Sequence, residues 1–249
     1  MGLKIENDKL IILNPETLDA VGEVRISSNQ EVEDVLTIAS KNKEWSSLSL
    51  KKRCSIINKF RKVVLKHEKL VKQTLKSETG KKDFDVFIEF FTFLEHSKEM
   101  AKIARKALRP SRRSAGLMKN KKAYVQYEPK GTVGIISPWN YPLATPINST
   151  IEALLAGNNV VLKPSEHTPL TPKIIKDLWD KHIGYSKAFQ IVNGKGDVGG
   201  ILVDSTHTDI ICFTGSTAVG IKISEACAPK LKPVLLELGG KDPMIVFRD

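Results

Sequence analysis

The sequence has little cysteine, few aromatic residues and no long apolar run, and each shortage closes off a class of protein. Its 249 residues hold three cysteines, Cys54, Cys212 and Cys227, an odd set with no CxxC spacing. That pattern argues against a disulfide-stapled fold and for a reducing compartment, so a cytoplasmic location is expected. No metal site is expected. The opening MGLKIENDKLIILNP mixes both charges and contains no stretch apolar enough for a signal peptide or a membrane span. Glu6 stands where a myristoylation motif needs Ser or Thr. There is no internal repeat and no low-complexity segment.

Charge of one sign is in excess, but only in one half. The net charge is +11; residues 1–130 carry 28 Lys and Arg against 17 Asp and Glu, whereas residues 131–249 carry 11 of each. The surplus is mostly lysine spread along helical segments such as KKRCSIINKFRKVVLKHEKLVKQTLK, with few aromatics among the charges. A solvated helix face fits that arrangement better than a phosphate-binding surface, so no nucleic-acid partner is expected. The length is enough for a sizeable core in one large or two modest domains.

What is present divides the chain into two textures. In the first half, SSNQEVEDVLTIASKNKEW opens with a capping box, Ser28 to Glu31, and places Val32, Val35, Leu36 and Ala39 on one helix face. The next helical run, up to Gly80 as a C-cap, puts Ile56, Ile57, Phe60, Val63 and Val64 at helical spacing. A third helix ends before Pro110. The polar loop SRRSAGLMKNKKA follows, and then YVQYEP alternates as an exposed strand does.

From Gly131 onward, short apolar runs alternate with helical stretches: GTVGIIS, NNVVLKP, AFQIVNG, DIICFTG and PVLLELGG. Runs apolar on both faces and joined by long connections predict a parallel sheet covered by helices, an α/β Rossmann-like core. In such sheets ligands bind beyond the carboxyl ends of the strands, so the residues just after each run carry the information.

After the first run comes PWNYP, Pro138 to Pro142. Pro142 can open the next helix. By themselves Trp139 is a packing residue and Asn140 a turn former; the functional alternative is that Asn140 offers an amide N–H to a developing oxyanion. Lys163 and Glu166 follow the second run. They are either a surface pair or a pair that binds sugar hydroxyls, and a carboxylate accepting from a ribose diol would favour NAD over NADP. Gly194, Gly196 and Gly199 satisfy GxGxxG, but late in the α/β region and without the acidic residue expected about 20 positions on.

TGSTAVGIKI follows the fourth run. Gly215 and Gly220 flank Ser216 and Thr217 at the start of a helix, a seat for a pyrophosphate. A P-loop needs Lys directly after the second glycine; Ile221 intervenes, and Lys222, one place late, is expected to point away from the phosphates. Glu237 ends the last run before Leu238, Gly239, Gly240 and Lys241. Burial of its carboxylate would suit it to act as a general base, and an ion pair with Lys241 explains it equally well.

Four stretches in this order, PWNYP, GNNVVLKPSE, FTGSTAVG and LELGGK, resemble the NAD(P)-dependent aldehyde dehydrogenase superfamily, over about residues 20–249. The resemblance implies an N-terminal helical part of the cofactor-binding domain at 1–111 and an oligomerisation hairpin at 112–131, with Arg112 and Arg113 near a subunit interface. It further implies an NAD(P)-binding α/β core at 132–240 and the start of a catalytic domain at 241–249. Asn140 looks like the oxyanion amide and Glu237 like the general base. Ile136, Trp139 and Leu238 look like neighbours of the cofactor, and Lys163 and Glu166 like its adenosine-ribose contacts. Gly215, Ser216 and Gly220 look like the pyrophosphate site, and Gly194, Gly196 and Gly199 like a loop near the adenine. The implied cofactor is NAD in preference to NADP, the substrate an aldehyde, and the assembly a homodimer or homotetramer.

The implied chemistry is covalent: a cysteine thiolate adds to the aldehyde, hydride passes to nicotinamide and the thioester is hydrolysed. The family's nucleophilic cysteine lies beyond the LELGGK glutamate, and the chain reaches Asp249 first. None of the three cysteines is placed to substitute for it. A fragment that does not itself turn over aldehyde is therefore expected, with PMIVF as a buried strand left uncovered.

Overall fold

The structure, a computed structural model, describes residues 2–248. It opens with an element the helical pattern did not announce, a three-stranded antiparallel sheet of β1 (Gly2–Glu6), β2 (Lys9–Leu13) and β3 (Ala20–Arg25). The strands are only five or six residues long, and Leu10, Ile12 and Val24 alternate inward onto Leu170.

The helices then follow closely. Helix α1 (Asn29–Lys41) starts at the Ser28–Glu31 capping box and buries Val32, Leu36 and Ala39. The second helical run is two helices, α2 (Leu50–Lys66) and α3 (Glu68–Thr79). His67 breaks it: the residue leaves helical geometry at φ −105° and ψ 22° and serves as C-cap of one and N-cap of the other. Gly80 ends α3 in the left-handed conformation, φ 69°, which glycine adopts without steric cost. Helix α4 (Asp83–Ala107) leads to a short antiparallel pair, β4 (Ser111–Arg113) with β5 (Ala123–Val125), less than the strand expected over YVQYEP.

The second half is the parallel sheet: β6 (Thr132–Ile136), β7 (Asn159–Lys163), β8 (Phe189–Ile191), β9 (Ile210–Gly215) and β10 (Val234–Leu238), in the spatial order β10-β9-β6-β7-β8. Helices α5 (Ala144–Leu155), α6 (Leu170–His182), α7 (Gly196–Asp204) and α8 (Thr217–Cys227) connect successive strands. One face packs on α5 and α6 with α2 and α4 behind them, around Trp45, Phe60, Phe93 and Trp179. The other packs on α1, α7 and α8 through Val161, Val198, Ile211 and Ile223. The strand order reverses between β6 and β9, which opens a crevice at the carboxyl ends of those strands.

Two expectations about the end of the chain are corrected. Residues 241–248, PMIVF included, form no strand and are exposed. Strand β10 is the edge of the sheet, paired with β9 alone among the described residues, so Glu237 is exposed where burial was anticipated. An edge strand has neighbours on one side only, and that geometry removes the desolvation the argument needed.

Candidate nucleotide-binding site

At the crevice lies a cavity of about 270 Å³. Ile136 at the end of β6 and Lys163 at the end of β7 form its floor; α7 contributes Gly196, Gly199 and Gly200, and α8 contributes Val219, Lys222 and Ile223. Its walls come from α7 and α8 and differ for a simple reason. Glycines on α7 open the space: a Cβ at Gly196 would meet nothing within 4 Å, and one at Gly199 would touch only Ile136 Cδ1 and Lys163 Cδ, each at 3.7 Å.

Lys163 is the polar group of this floor and is almost wholly buried. Its ammonium donates to the Pro164 carbonyl at 3.1 Å and to Glu166 Oε2 at 3.3 Å. Burial lowers the Lys163 pKa, while Glu166 and Asp197 pull the other way. The pair is thus not a surface salt bridge: its cation lines the cavity and its carboxylate is partly exposed beside it. With two of three ammonium hydrogens engaged, Lys163 has one donor left for a ligand.

The other sequence-marked residues separate into groups. Trp139 and Asn140 are exposed on the irregular turn after β6, and Thr168 Oγ1 donates to the Trp139 carbonyl at 3.4 Å. Helix α5 begins two residues after Pro142, so that proline precedes the helix instead of opening it. Ser216 caps α8, its hydroxyl accepting from the Val219 amide at 3.4 Å, with Gly215 just before it at the end of β9. Gly220 and Leu238 meet each other: a Cβ on Gly220 would lie 2.5 Å from Leu238 Cδ2, so this glycine lets α8 pack on β10 and does not line the cavity. Gly194 has φ 158° beside Val198, while Gly196 and Gly199 belong to α7 and not to a loop. Glu237 pairs in register with Thr214, at the same carboxyl edge of the sheet as the turn that bears Asn140.

Lys222 lines the cavity, on the face of α8 shared by Val219, Ile223 and Ala226. The ligand space therefore runs along the flank of α8, away from the helix tip where Ser216 caps it. Spacing of three and four residues along α8 was the available signal for this wall.

All three thiols are buried, and burial pushes the pKa of Cys212 and Cys227 up. Among the described residues no group of His, Cys, Asp and Glu could hold a metal ion, and no helix is long and apolar enough to cross a membrane.

A parallel sheet of this strand order, with helices on both faces and a cavity at the switch point, defines a Rossmann-like α/β protein. The chain belongs to the aldehyde dehydrogenase family, whose sequence profile matches residues 4–249. It is 37% identical over 204 residues to a protein of Mycolicibacterium smegmatis bearing the name succinate-semialdehyde dehydrogenase with NADP(+), covering 82% of this chain and 39% of that one. It is 33% identical over 243 residues to the mitochondrial succinate-semialdehyde dehydrogenase of Oryza sativa subsp. japonica, covering 96% and 45%. A crystal structure of Mycobacterium tuberculosis aldehyde dehydrogenase complexed with NAD+ superposes with a TM-score of 0.90 at 29% identity, covering 95% of this chain and 49% of that one. The chain thus spans less than half the length of these relatives.

Proposed function

We propose that these residues form the nucleotide-binding part of an enzyme that oxidises an aldehyde to a carboxylic acid with NAD(P)+. The observation that carries the reading is the cavity itself, which unites Ile136 of β6, Lys163 of β7 and Gly196 and Gly199 of α7, three separate segments, at the switch point. Its volume lies just under the range of roughly 300–1,000 Å³ typical of small-molecule sites, so it suits one end of a dinucleotide, the adenosine, better than the whole. Apolar walls from Ile136 and Val219 sandwich a planar base, and the spare donor of Lys163 with the carboxylate of Glu166 suits a ribose diol. The bound nucleotide supplies a hydride acceptor.

The remaining roles follow the turn and the edge strand. Asn140 is the amide that holds an oxyanion on the substrate carbon, with Trp139 beside the cofactor. Glu237 takes the proton of the hydrolytic water, and its exposure in this span leaves that role dependent on whatever packs over β10. Ser216, Gly215 and the first turn of α8 receive the pyrophosphate. Glu166 favours NAD because a 2′-phosphate would sit against its charge; the NADP(+) in the name of the Mycolicibacterium relative makes this a point for direct measurement. The β4–β5 hairpin, with Arg112 and Arg113 and the exposed Leu117 and Met118 at its tip, mediates assembly of a homodimer or homotetramer.

Turnover needs a thiolate at the turn bearing Asn140, and all three thiols of these residues are buried elsewhere. The 249-residue chain should bind NAD and produce no NADH from aldehydes. Calorimetric titration with NAD, together with absorbance at the NADH band, tests both. Absence of NAD binding by the folded chain would overturn the site, and steady NADH formation would overturn the account of the thiols.

A further inference from the structure

The turn that carries Asn140 has no regular structure of its own between β6 and α5. Its shape must come from what grips it. Besides the Thr168 hydroxyl on the Trp139 carbonyl, two charged groups from outside the parallel sheet do so. Glu89, in the second turn of α4, is wholly buried, and its Oε1 accepts from the amides of Leu143 at 2.8 Å and Ala144 at 3.1 Å. Its other oxygen accepts from the Lys81 ammonium at 2.6 Å. That ammonium in turn lies 4.0 Å from the centroid of the Tyr141 ring. One carboxylate therefore ties the residues that follow Pro142, and one ammonium bridges that carboxylate to the residue directly after Asn140.

A second buried carboxylate shows what is particular here. Glu78 accepts from the amides of Leu170 and Thr171 at the start of α6, in the same manner, but among the described residues no ammonium links it to an aromatic ring. Capping alone is thus a repeated device of this fold. The Lys81 bridge exists only where the cap adjoins the turn.

We infer that Glu89 and Lys81 are positioning residues for Asn140, a clamp from α4 and its leading loop that fixes the amide at the sheet edge. The inference rests on the proposed oxyanion role of Asn140, but the geometry of the clamp does not. Strength comes from burial of the Glu89 carboxylate, which strengthens its charge-assisted bonds, and the cation over the ring adds a directional attraction. Loss of either group frees the turn while leaving the nucleotide cavity, which neither residue lines, intact.

The test uses the full 249-residue chain labelled with 5-fluorotryptophan. Trp139 sits in the turn, whereas Trp45 and Trp179 are buried in the core and report on the fold. The Trp139 resonance is assigned with Trp139→Phe. Glu89→Ala and Lys81→Met should each shift or broaden that resonance and leave the other two in place, while Glu78→Gln should leave Trp139 unmoved. Amide exchange at Leu143 and Ala144 should quicken roughly tenfold in Glu89→Ala. Lys81→Arg, which keeps a cation over the ring, should restore the wild-type signal.

If Glu89→Ala fails to fold, Lys81→Met carries the same comparison. An unmoved Trp139 resonance in Lys81→Met, or an equal movement in Glu78→Gln, overturns the clamp. Calorimetric titration of each variant with NAD separates the two readings. Loss of NAD binding in the wild type defeats the nucleotide site and leaves the clamp result standing, and an unmoved turn with normal NAD binding defeats the clamp alone.

Discussion

Glu78 and Thr171 are 93 residues apart in sequence, yet a 2.9 Å bond from the Thr171 amide to Glu78 Oε1 joins the end of α3 to the start of α6 inside the core. Desolvation raises the Glu78 pKa from the ordinary 4.5 to about 7, against the opposing pull of the two amides. The folded chain therefore keeps a proton that the unfolded chain releases at lower pH. Stability from this group is fully present below about 4.5 and is lost as pH rises through about 7. Glu78→Gln should show a shallower decline over that window. Denaturant unfolding at pH 4.5 and pH 8 should give a difference between wild type and variant that changes by up to about 3 kcal/mol. Identical pH profiles would show that Glu78 ionises normally.

Gly199 offers a way to close the cavity without disturbing the fold. It lies within α7 at ordinary helical geometry, and its missing Cβ faces Ile136 and Lys163 across the ligand space. Gly199→Leu should fill that space and abolish NAD binding in calorimetry. Thermal stability should hold or rise, since replacing glycine in a helix interior is worth roughly 0.5–1 kcal/mol. Retained NAD affinity would move the adenosine site elsewhere.

The Lys163–Glu166 pair separates affinity from selectivity. Lys163→Met removes the one ammonium that lines the floor and should weaken NAD by roughly 10- to 100-fold, the scale of a charge-assisted hydrogen bond. Glu166→Gln keeps the shape and removes the charge. It should lower NAD affinity less and raise NADP affinity, so that the ratio of the two dissociation constants narrows. A ratio that already favours NADP in the wild type would remove Glu166 from the selection.

Much of this arrangement was legible in the sequence, and the exceptions have physical causes. The α1 capping box, the Gly80 cap and the five apolar runs are local signals, each complete within a few residues, and each appears where the pattern put it. Lys163 was marked because it ends a strand, where ligands bind in parallel sheets, and Ile136 because of the family resemblance; the cavity joins them. The β1–β3 sheet was hidden because its inward residues, Leu10, Ile12 and Val24, are too few for a clear alternation. The exposure of Glu237 was hidden because a buried-looking strand does not announce that it lies at an edge. Glu78 and Glu89 sit on helices and Lys81 in the loop before α4, and nothing local distinguishes a buried carboxylate from a solvated one there. The backbone amides that the two carboxylates accept from are 54 to 93 positions away.

Asn159 tests how the sheet is tied to α1. Its Nδ2 donates to the Ala39 carbonyl at 3.0 Å and the Asn42 carbonyl at 2.9 Å, and its Oδ1 accepts from Asn42 Nδ2 at 2.8 Å. Both side chains are buried, so no water replaces these bonds. Asn159→Ala strands the Asn42 carbonyl and side-chain amide and leaves the Ala39 carbonyl with only the Asn42 backbone amide, and should cost about 2–4 kcal/mol in denaturant unfolding. Asn159→Asp keeps the volume but turns a carboxylate oxygen toward those two carbonyls. At pH 8 it should therefore be the more damaging substitution, and the gap should close as pH falls, because a protonated acid can again donate. An Asp variant that is as stable as wild type at pH 8 would show that α1 can move away from β7 without consequence.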